Sequence, residues 1–347
     1  MSKILIYGAN GYTGTLIAEE AVRRGLTPII GGRNRDVLDA LAQRLGLTRR
    51  IFGLDDPAAI TRNLDEVDLL LNCAGPFSRT AAPLLEACLE RKLHYLDITG
   101  EIDVFALCHH AHPRAQRQGI VIAPGVGFDV VPTDCVAAML KQRLPDANAL
   151  VLAFEAGGGS SPGTAKTSVE GLSKGGRARI HGTLVEVPLA WKTRMFERDG
   201  LQRSAMTIPW GDVYTAYVST GIPNIETYMT LPAKTIARAR WLRHVKPLLG
   251  FAPVQAFLKG RAGAIAGPDA QRRAATQCHI WGEVRNATGA EQRMMLITPN
   301  GYSLTVQSSL AIAEHVLSEK PAGGYYTPSR LMGAEFVLGL RGVTCVD

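Results

Sequence analysis

Several features are scarce in this 347-residue sequence. It has no run of about 18 apolar residues, so no spanning helix is expected. Met1-Ser2-Lys3 leads straight into a strand-like run, with no charged region, apolar region and cleavage site in series; the expectation is a cytoplasmic protein. Six cysteines, at 73, 88, 108, 135, 278 and 345, include no C-x-x-C pair, which points to reduced thiols and against a disulfide scaffold. H-E-x-x-H is absent as well. Cys108 and His112 stand at i, i+4, but no second ligand group lies near them, so the stretch reads as a helix surface with no metal. Acidic residues are rare in one place: residues 231–285 hold ten Lys or Arg against Asp269 and Glu283. The net charge of +7 therefore belongs to one segment. A chain with 46% hydrophobic and 20% charged residues is neither disordered nor collagen-like, and its length suits two domains.

What is present begins with an alternation. Apolar, β-branched runs occur at 3–7, 27–30, 50–52, 68–73, 94–98 and 119–123. Helical patterns at 15–24, 36–45, 81–89 and 102–118 separate them, the first two ending at Gly25 and Gly46. Six short strands alternating with helices predict an α/β, Rossmann-type, doubly wound parallel sheet over 1–130. Beyond 130 the texture changes. A helix is expected over 133–144 with Thr133 or Asp134 as N-cap. Strands are expected at 184–187, 213–219, 225–231, 277–285 and 294–297, then a helix at 305–317. This predicts a second α+β domain, 131–309, on a mostly antiparallel sheet, serving substrate binding or oligomerisation.

Gly8-Ala9-Asn10-Gly11-Tyr12-Thr13-Gly14 follows the first strand and opens the first helix. In that context the first glycine makes the sharp turn, the second lets backbone approach a pyrophosphate, and the third packs helix on strand. The helix start then offers N–H groups and a positive dipole end to the phosphates. After the second strand comes Gly31-Gly32-Arg33-Asn34-Arg35, with no acid where a ribose 2′-hydroxyl would be bound. Arg33, beside Asn34, instead suits a 2′-phosphate, so the expected cofactor is NADP(H). Asp55 could meet the adenine or cap the turn before Pro57; both readings stay open. Ala74, Gly75 and Pro76, at the end of the fourth strand, are expected to face the ribose or nicotinamide.

Taken together, several segments resemble the saccharopine dehydrogenase-like oxidoreductases, a superfamily that also holds trans-acting enoyl reductases. They are IYGANGYTG, NCAGPF, HYLDITGE at 94–101, PGVGFDVVPTD at 124–134 and SPGTAKTSVEGL at 161–172. PLAWKTR at 188–194, IPWGDVYTAYVSTGIPNIE at 208–226 and GGYYTPSRLMGAEFV at 323–337 continue it, so it covers nearly the whole chain. The resemblance implies an N-terminal NAD(P)-binding Rossmann domain, with Gly8, Gly11, Gly14 and Arg33 on the cofactor. It also implies a second α+β domain and a C-terminal segment, about 310–347, packed back on the first. No signature for saccharopine itself is present.

Hydride delivery needs orientation and a proton source. Short-chain dehydrogenases use Tyr-x-x-x-Lys, and no tyrosine here has Lys four residues later. Asp97, Glu101 and Asp129, at strand ends, are the catalytic candidates, each with a structural alternative as cap or hydrogen-bond anchor. Gly163-Thr164 before a helix suits either an anion or a plain N-cap. The basic stretch 233–249 mixes Ile236, Trp241, Leu242, Val245 and Leu249 with cations; it suits either packing on the domain or peripheral contact with an anionic membrane. No nucleic-acid motif accompanies it. The leading expectation is an NADP(H)-dependent oxidoreductase acting on an imine or activated C=C in a small or lipid-linked substrate, with a homodimer left open. The alternative is a non-catalytic NADP-binding sensor.

Overall fold

Short strands of near-continuous apolar sequence are stable only when both sheet faces are covered. The protein, described at residues 3–245 and 249–346 by a computed structural model, builds its first sheet from such strands. The order of elements is β1 (Ile4–Tyr7), α1 (Tyr12–Arg23), β2 (Ile29–Gly32), α2 (Arg35–Leu45), β3 (Arg49–Ile51), α3 (Pro57–Asn63) and β4 (Leu69–Asn72). Then follow α4 (Phe77–Arg91), β5 (His94–Asp97), α5 (Ile102–His110), α6 (His112–Gln118) and β6 (Val121–Ala123). The sheet runs β6-β5-β4-β1-β2-β3, all parallel, with Gly324–Tyr325 adding a parallel strand beside β6. Leu5, Ile6, Ile30, Leu69, Leu70, Leu71 and Tyr95 have no exposed surface and form the core of this sheet. The chain reverses direction across the sheet between β1 and β4, the switch point where such sheets hold ligands outside their strand ends.

The chain divides into two compact units, Met1–Asp129 with Tyr302–Met332, and Val130–Gly301 with Gly333–Asp347. Within the first, the returning helix Gly301–Glu319 holds the loop after β6: Thr305 Oγ1 accepts from Phe128 N–H (2.9 Å), and Ser308 Oγ donates to the Val126 carbonyl (2.7 Å). The segment expected to return, about 310–347, is thus divided: 302–332 lies in the first unit and 333–347 in the second.

The second unit contains α7 (Val131–Arg143), β7 (Ala149–Glu155), α8 (Pro162–Lys174), β8 (Gly176–Ile180), β9 (Thr183–Val187), β10 (Thr193–Arg198) and β11 (Leu201–Thr207). It continues with α9 (Asp212–Thr220), β12 (Asn224–Thr230), α10 (Ala233–Leu242), α11 (Ala252–Gly263), α12 (Ala270–Ala275), β13 (Gln277–Arg285) and β14 (Glu291–Pro299). Its sheet is β10-β11-β12-β7-β13-β14, closed at one edge by Thr344–Val346, and it is antiparallel apart from β12 against β7. Gly282 lets α7 pack closely on β13, since a Cβ there would stand 2.2 Å from Val136 Cγ1 and 2.6 Å from Leu140 Cδ1. On the opposite face Phe196, Tyr228 and Trp281 cluster over Ala153 and Ala205.

Four local expectations are corrected. Residues 213–219 are not a strand but part of α9. Their β-branched and aromatic composition favours a strand, yet Asp212, Val213, Thr215 and Ala216 are buried in a helical pattern, and Gly221 ends the helix in the left-handed conformation. The helix expected at 102–118 is two, α5 and α6, parted at Ala111, with Pro113 in the first turn of the second. Neither Thr133 nor Asp134 is the N-cap of α7; Val130 is. Both lie inside the buried first turn, where Thr133 Oγ1 donates to Asp212 Oδ1 (2.5 Å) and Ser219 Oγ donates to Asp134 Oδ1 (2.5 Å). In the basic stretch 233–249, residues 246–248 lie outside the described residues, and Trp241 faces solvent instead of the domain.

Candidate active site

The glycine turn between β1 and α1 is built at close quarters. Gly8 takes a φ of +84°, and a Cβ on it would meet Ala74 N at 2.7 Å. A Cβ on Gly14 would lie 2.4 Å from the Gly8 carbonyl oxygen and 2.9 Å from Ala9 Cα. These glycines let the first turn, the start of α1 and the turn after β4 approach one another as no larger residue allows. Gly11 is the N-cap of α1, no side chain caps that helix, and Thr15 Oγ1 turns back to the Ala9 carbonyl (2.8 Å). Backbone N–H groups at such a start suit an anion. Exposed Asn10 sits over Gly32, whose Cβ would fall 2.4 Å from its Oδ1. Half-buried Tyr12 and Thr13 form the first turn of α1, and Tyr12 meets the Tyr302 ring edge-on at 4.8 Å.

Arg33 is exposed just past β2. Among the described residues no carboxylate forms an ion pair with it. Asn34 caps α2, its side chain accepting from Val37 N–H (3.2 Å). The cap before Pro57 belongs to Asp56, which accepts from Ala58 N–H (2.9 Å), so Asp55 stands exposed beyond β3. Arg33 and Asp55 both act on the Tyr7 hydroxyl, whose pKa burial pushes up to about 12; the guanidinium opposes that rise and the carboxylate adds to it.

The Ala74-Gly75-Pro76 turn is held by residues that the sequence reading did not single out as functional. Buried Asn72 accepts from Ala74 N–H (3.0 Å) and donates to Thr80 Oγ1 (3.2 Å), while Thr80 donates to the Ala74 carbonyl (2.6 Å). The available signal was an amide side chain closing an apolar strand, unusual unless it has a buried partner.

The three candidate carboxylates occupy different environments. Asp97 has no exposed surface. Its Oδ1 accepts from Thr99 N–H (3.0 Å) and Gly125 N–H (2.9 Å), and its Oδ2 from the Tyr95 hydroxyl (2.9 Å). Asn72 Nδ2 in turn donates to Tyr95 Oη at 3.4 Å, so one buried chain of polar groups joins the carboxyl ends of β4, β5 and β6. Burial pushes the Asp97 carboxyl up to about 6, against the pull of these hydrogen bonds. Glu101 accepts from Phe77 N–H (2.9 Å) and Ser78 N–H (2.8 Å), which anchors the start of α4 directly after the Pro76 turn. Half-buried Asp129 ends the loop held by Thr305 and Ser308; a Cβ on Gly100 would lie 3.1 Å from its Oδ2, and burial pushes its carboxyl up to about 7.

Asp97→Ala leaves two buried amide N–H groups without their acceptor and is expected to cost about 2–4 kcal/mol of stability, whereas Asp97→Asn, which keeps one carbonyl oxygen, costs about 1 kcal/mol or less. The sign with pH is fixed by the raised folded-state pKa. The unfolded carboxyl ionises near 4 and the folded one at about 6, so from about pH 4 to 6 the native protein loses stability relative to the Asn variant. Urea unfolding of the three proteins across that range checks both statements.

Elsewhere, Cys108 is buried in α5, and His112, in the separate helix α6, accepts from Tyr325 N–H through Nδ1 (2.9 Å). Before α8 the N-cap is Ser161, which accepts from Thr164 N–H (3.3 Å). Among the described residues no helix is long and apolar enough to cross a membrane.

This geometry agrees with comparisons to known proteins. Residues 4–122 match the family model described as the saccharopine dehydrogenase NADP binding domain. A saccharopine dehydrogenase-like oxidoreductase of Rattus norvegicus is 29% identical over 152 residues, 38% of this chain and 35% of the rat protein. That of Homo sapiens is 27% identical over 161 residues, 41% of this chain and 38% of the human one. The matched segment thus spans little more than a third of these relatives' length. Apo saccharopine dehydrogenase (L-Glu forming) of Saccharomyces cerevisiae shares the fold over 100% of both chains, with a TM-score of 0.67 at 9% identity. Residues 4–122, within the first unit, are thus similar to the NADP-binding domain of the saccharopine dehydrogenases, and the chain as a whole shares the fold of the yeast enzyme.

Proposed function

We propose that the protein transfers a hydride between NADP(H) and an imine or activated C=C of a small or lipid-linked substrate. The observation that carries this reading is the glycine turn: Gly8 and Gly14, both too closely packed to bear a Cβ, flank Gly11, the N-cap of a helix start that no side chain caps. The residues present fit the cofactor. Gly8, Asn10, Gly11, Tyr12, Thr13 and Gly14 would cradle the pyrophosphate, Arg33 with Asn34 the 2′-phosphate, and Asp55 the adenine edge. Ala74, Gly75 and Pro76 would line the ribose and nicotinamide side.

The bound dinucleotide supplies the hydride chemistry. Net reduction of C=N or C=C also requires a proton, and the protein must hold a donor for it. Asp129, whose carboxyl burial pushes up to about 7, is assigned that role. Asp97 and Glu101 act as positioning residues: the first ties three strand ends together, and the second fixes the turn after β4.

Arg33→Ala is expected to weaken NADPH binding about 10- to 100-fold and to leave NADH affinity unchanged, since it removes charge-assisted bonds to a phosphate that only NADPH carries. Calorimetric titration of both dinucleotides checks this; equal losses for the two would remove Arg33 from the 2′-phosphate site. Activity is tested by NADPH oxidation with panels of keto acids plus amines and, separately, enoyl thioesters. The engagement of Asp97 and Glu101 in structural bonds favours a second reading, a cofactor sensor without turnover. Tight NADPH binding with no oxidation across both panels would select it.

A further inference from the structure

We propose that the surface carried by residues 233–245 and 249–265 docks on an anionic lipid bilayer. These residues include six Lys or Arg and neither Asp nor Glu. On α10, Ile236 and Ala239 are buried. Lys234, Arg238 and Trp241, spaced i, i+4, i+7 on the same helix, share another side and are exposed. Trp241 is 65% exposed, and two further rings, Phe251 before α11 and Phe257 within it, are 61% and 64% exposed. The side of α11 that carries Gln255 is turned to the fold: Gln255 Nε2 donates to the Val169 (3.2 Å) and Leu249 (2.6 Å) carbonyls. The rings are therefore not the inward apolar faces of these helices. The inward faces are already used, and the aromatics stand outside them among cations.

Large exposed aromatics are costly in water and common at binding surfaces. Tryptophan and phenylalanine flanked by lysine and arginine form the interfacial pattern. The rings enter the headgroup layer, the long basic stems lie along it, and the charges meet anionic lipid. With no Asp or Glu among these residues, Lys234 and Arg238, exposed on α10, add attraction within a Debye length of the bilayer. Just beyond α10, Arg243 and His244 line a cavity of about 490 Å³ with Leu189 and Pro188. Glu186, also in that wall, is paired with Arg177 at 2.7 Å. The recess offers a phosphodiester headgroup a cationic wall.

The test uses the full chain floated with vesicles of phosphatidylcholine carrying about 30% phosphatidylglycerol, at about 50 mM salt. Co-flotation is expected with these vesicles and not with pure phosphatidylcholine. Lys234→Glu with Arg238→Glu, and separately Trp241→Ala with Phe257→Ala, are each expected to weaken it at least about tenfold, with circular dichroism unchanged. Absence of co-flotation overturns the proposal, as does indifference to both pairs of substitutions. Equal binding to heparin that ignores the loss of the rings would assign the surface to a soluble polyanion. Conversion of a dimer to a monomer by the ring substitutions, with vesicle binding intact, would assign it to a second copy of this chain. Either result overturns membrane docking.

Discussion

Gly14→Ala is expected to weaken NADPH binding at least about 100-fold, a loss of about 2.7 kcal/mol. The added methyl would stand 2.4 Å from the Gly8 carbonyl oxygen and 2.9 Å from Ala9 Cα. Both are backbone atoms, so no side-chain rotation relieves the clash. The start of α1 must move off the turn, and the N–H groups proposed to meet the pyrophosphate move with it. Some stability is lost too, about 1–3 kcal/mol for such overpacking. Gly25→Ala is the control. Gly25 has a φ of +81° but nothing within 4 Å of its Cβ position. That variant carries backbone strain of about 1 kcal/mol and is expected to bind NADPH as the native protein does. Calorimetry with thermal unfolding separates the two effects. If the Gly14 variant binds NADPH normally, the turn does not hold the phosphates.

Asp129→Asn is expected to lower kcat by about 10²- to 10⁴-fold on whichever substrate panel supports turnover, with NADPH affinity unchanged within about twofold. The asparagine keeps the size of the side chain and loses only the transferable proton. The pH profile gives an independent reading. A proton donor works in its protonated form, so kcat should be level below a pKa of about 7 and fall about tenfold per pH unit above it. In the Asn variant that descending limb should vanish. Retention of activity within about threefold, or an unchanged profile, would remove Asp129 from proton transfer. The prediction depends on the loop that carries it: Thr305 and Ser308 hold its backbone from the returning helix, and a Cβ on Gly100 would crowd its carboxyl at 3.1 Å.

Much of the first unit was legible because its signals are local. The apolar runs at 3–7, 68–73 and 94–98 are strands within one or two residues of where they were expected. A buried parallel strand needs an uninterrupted apolar run, and few other elements so short are written that way. The glycine turn was legible for the same reason, since its steric demands lie within seven consecutive residues. Residues 213–219 misled because valine, tyrosine and threonine report a strand preference that packing in the second unit overrides. Thr133 and Asp134 misled because a residue type suited to capping is equally suited to a buried hydrogen bond with a distant partner, here Asp212 and Ser219.

The carboxylates mark the limit. Asp97, Glu101 and Asp129 look alike in the sequence, each polar, each after an apolar strand. What separates them is contact across long sequence intervals. Gly125 N–H, 28 residues on, ties down Asp97. The α4 start, 23 and 24 residues back, ties down Glu101. The alternation of strands and helices in the first unit, the glycine turn and the expected cofactor follow from the sequence alone, because periodicity and glycine sterics act between near neighbours. The burial that raises the Asp97 and Asp129 carboxyls, the backbone amides that hold Asp97 and Glu101, and the way Trp241 faces were decided by the tertiary structure, because desolvation and hydrogen-bond partners exist only once distant segments have met.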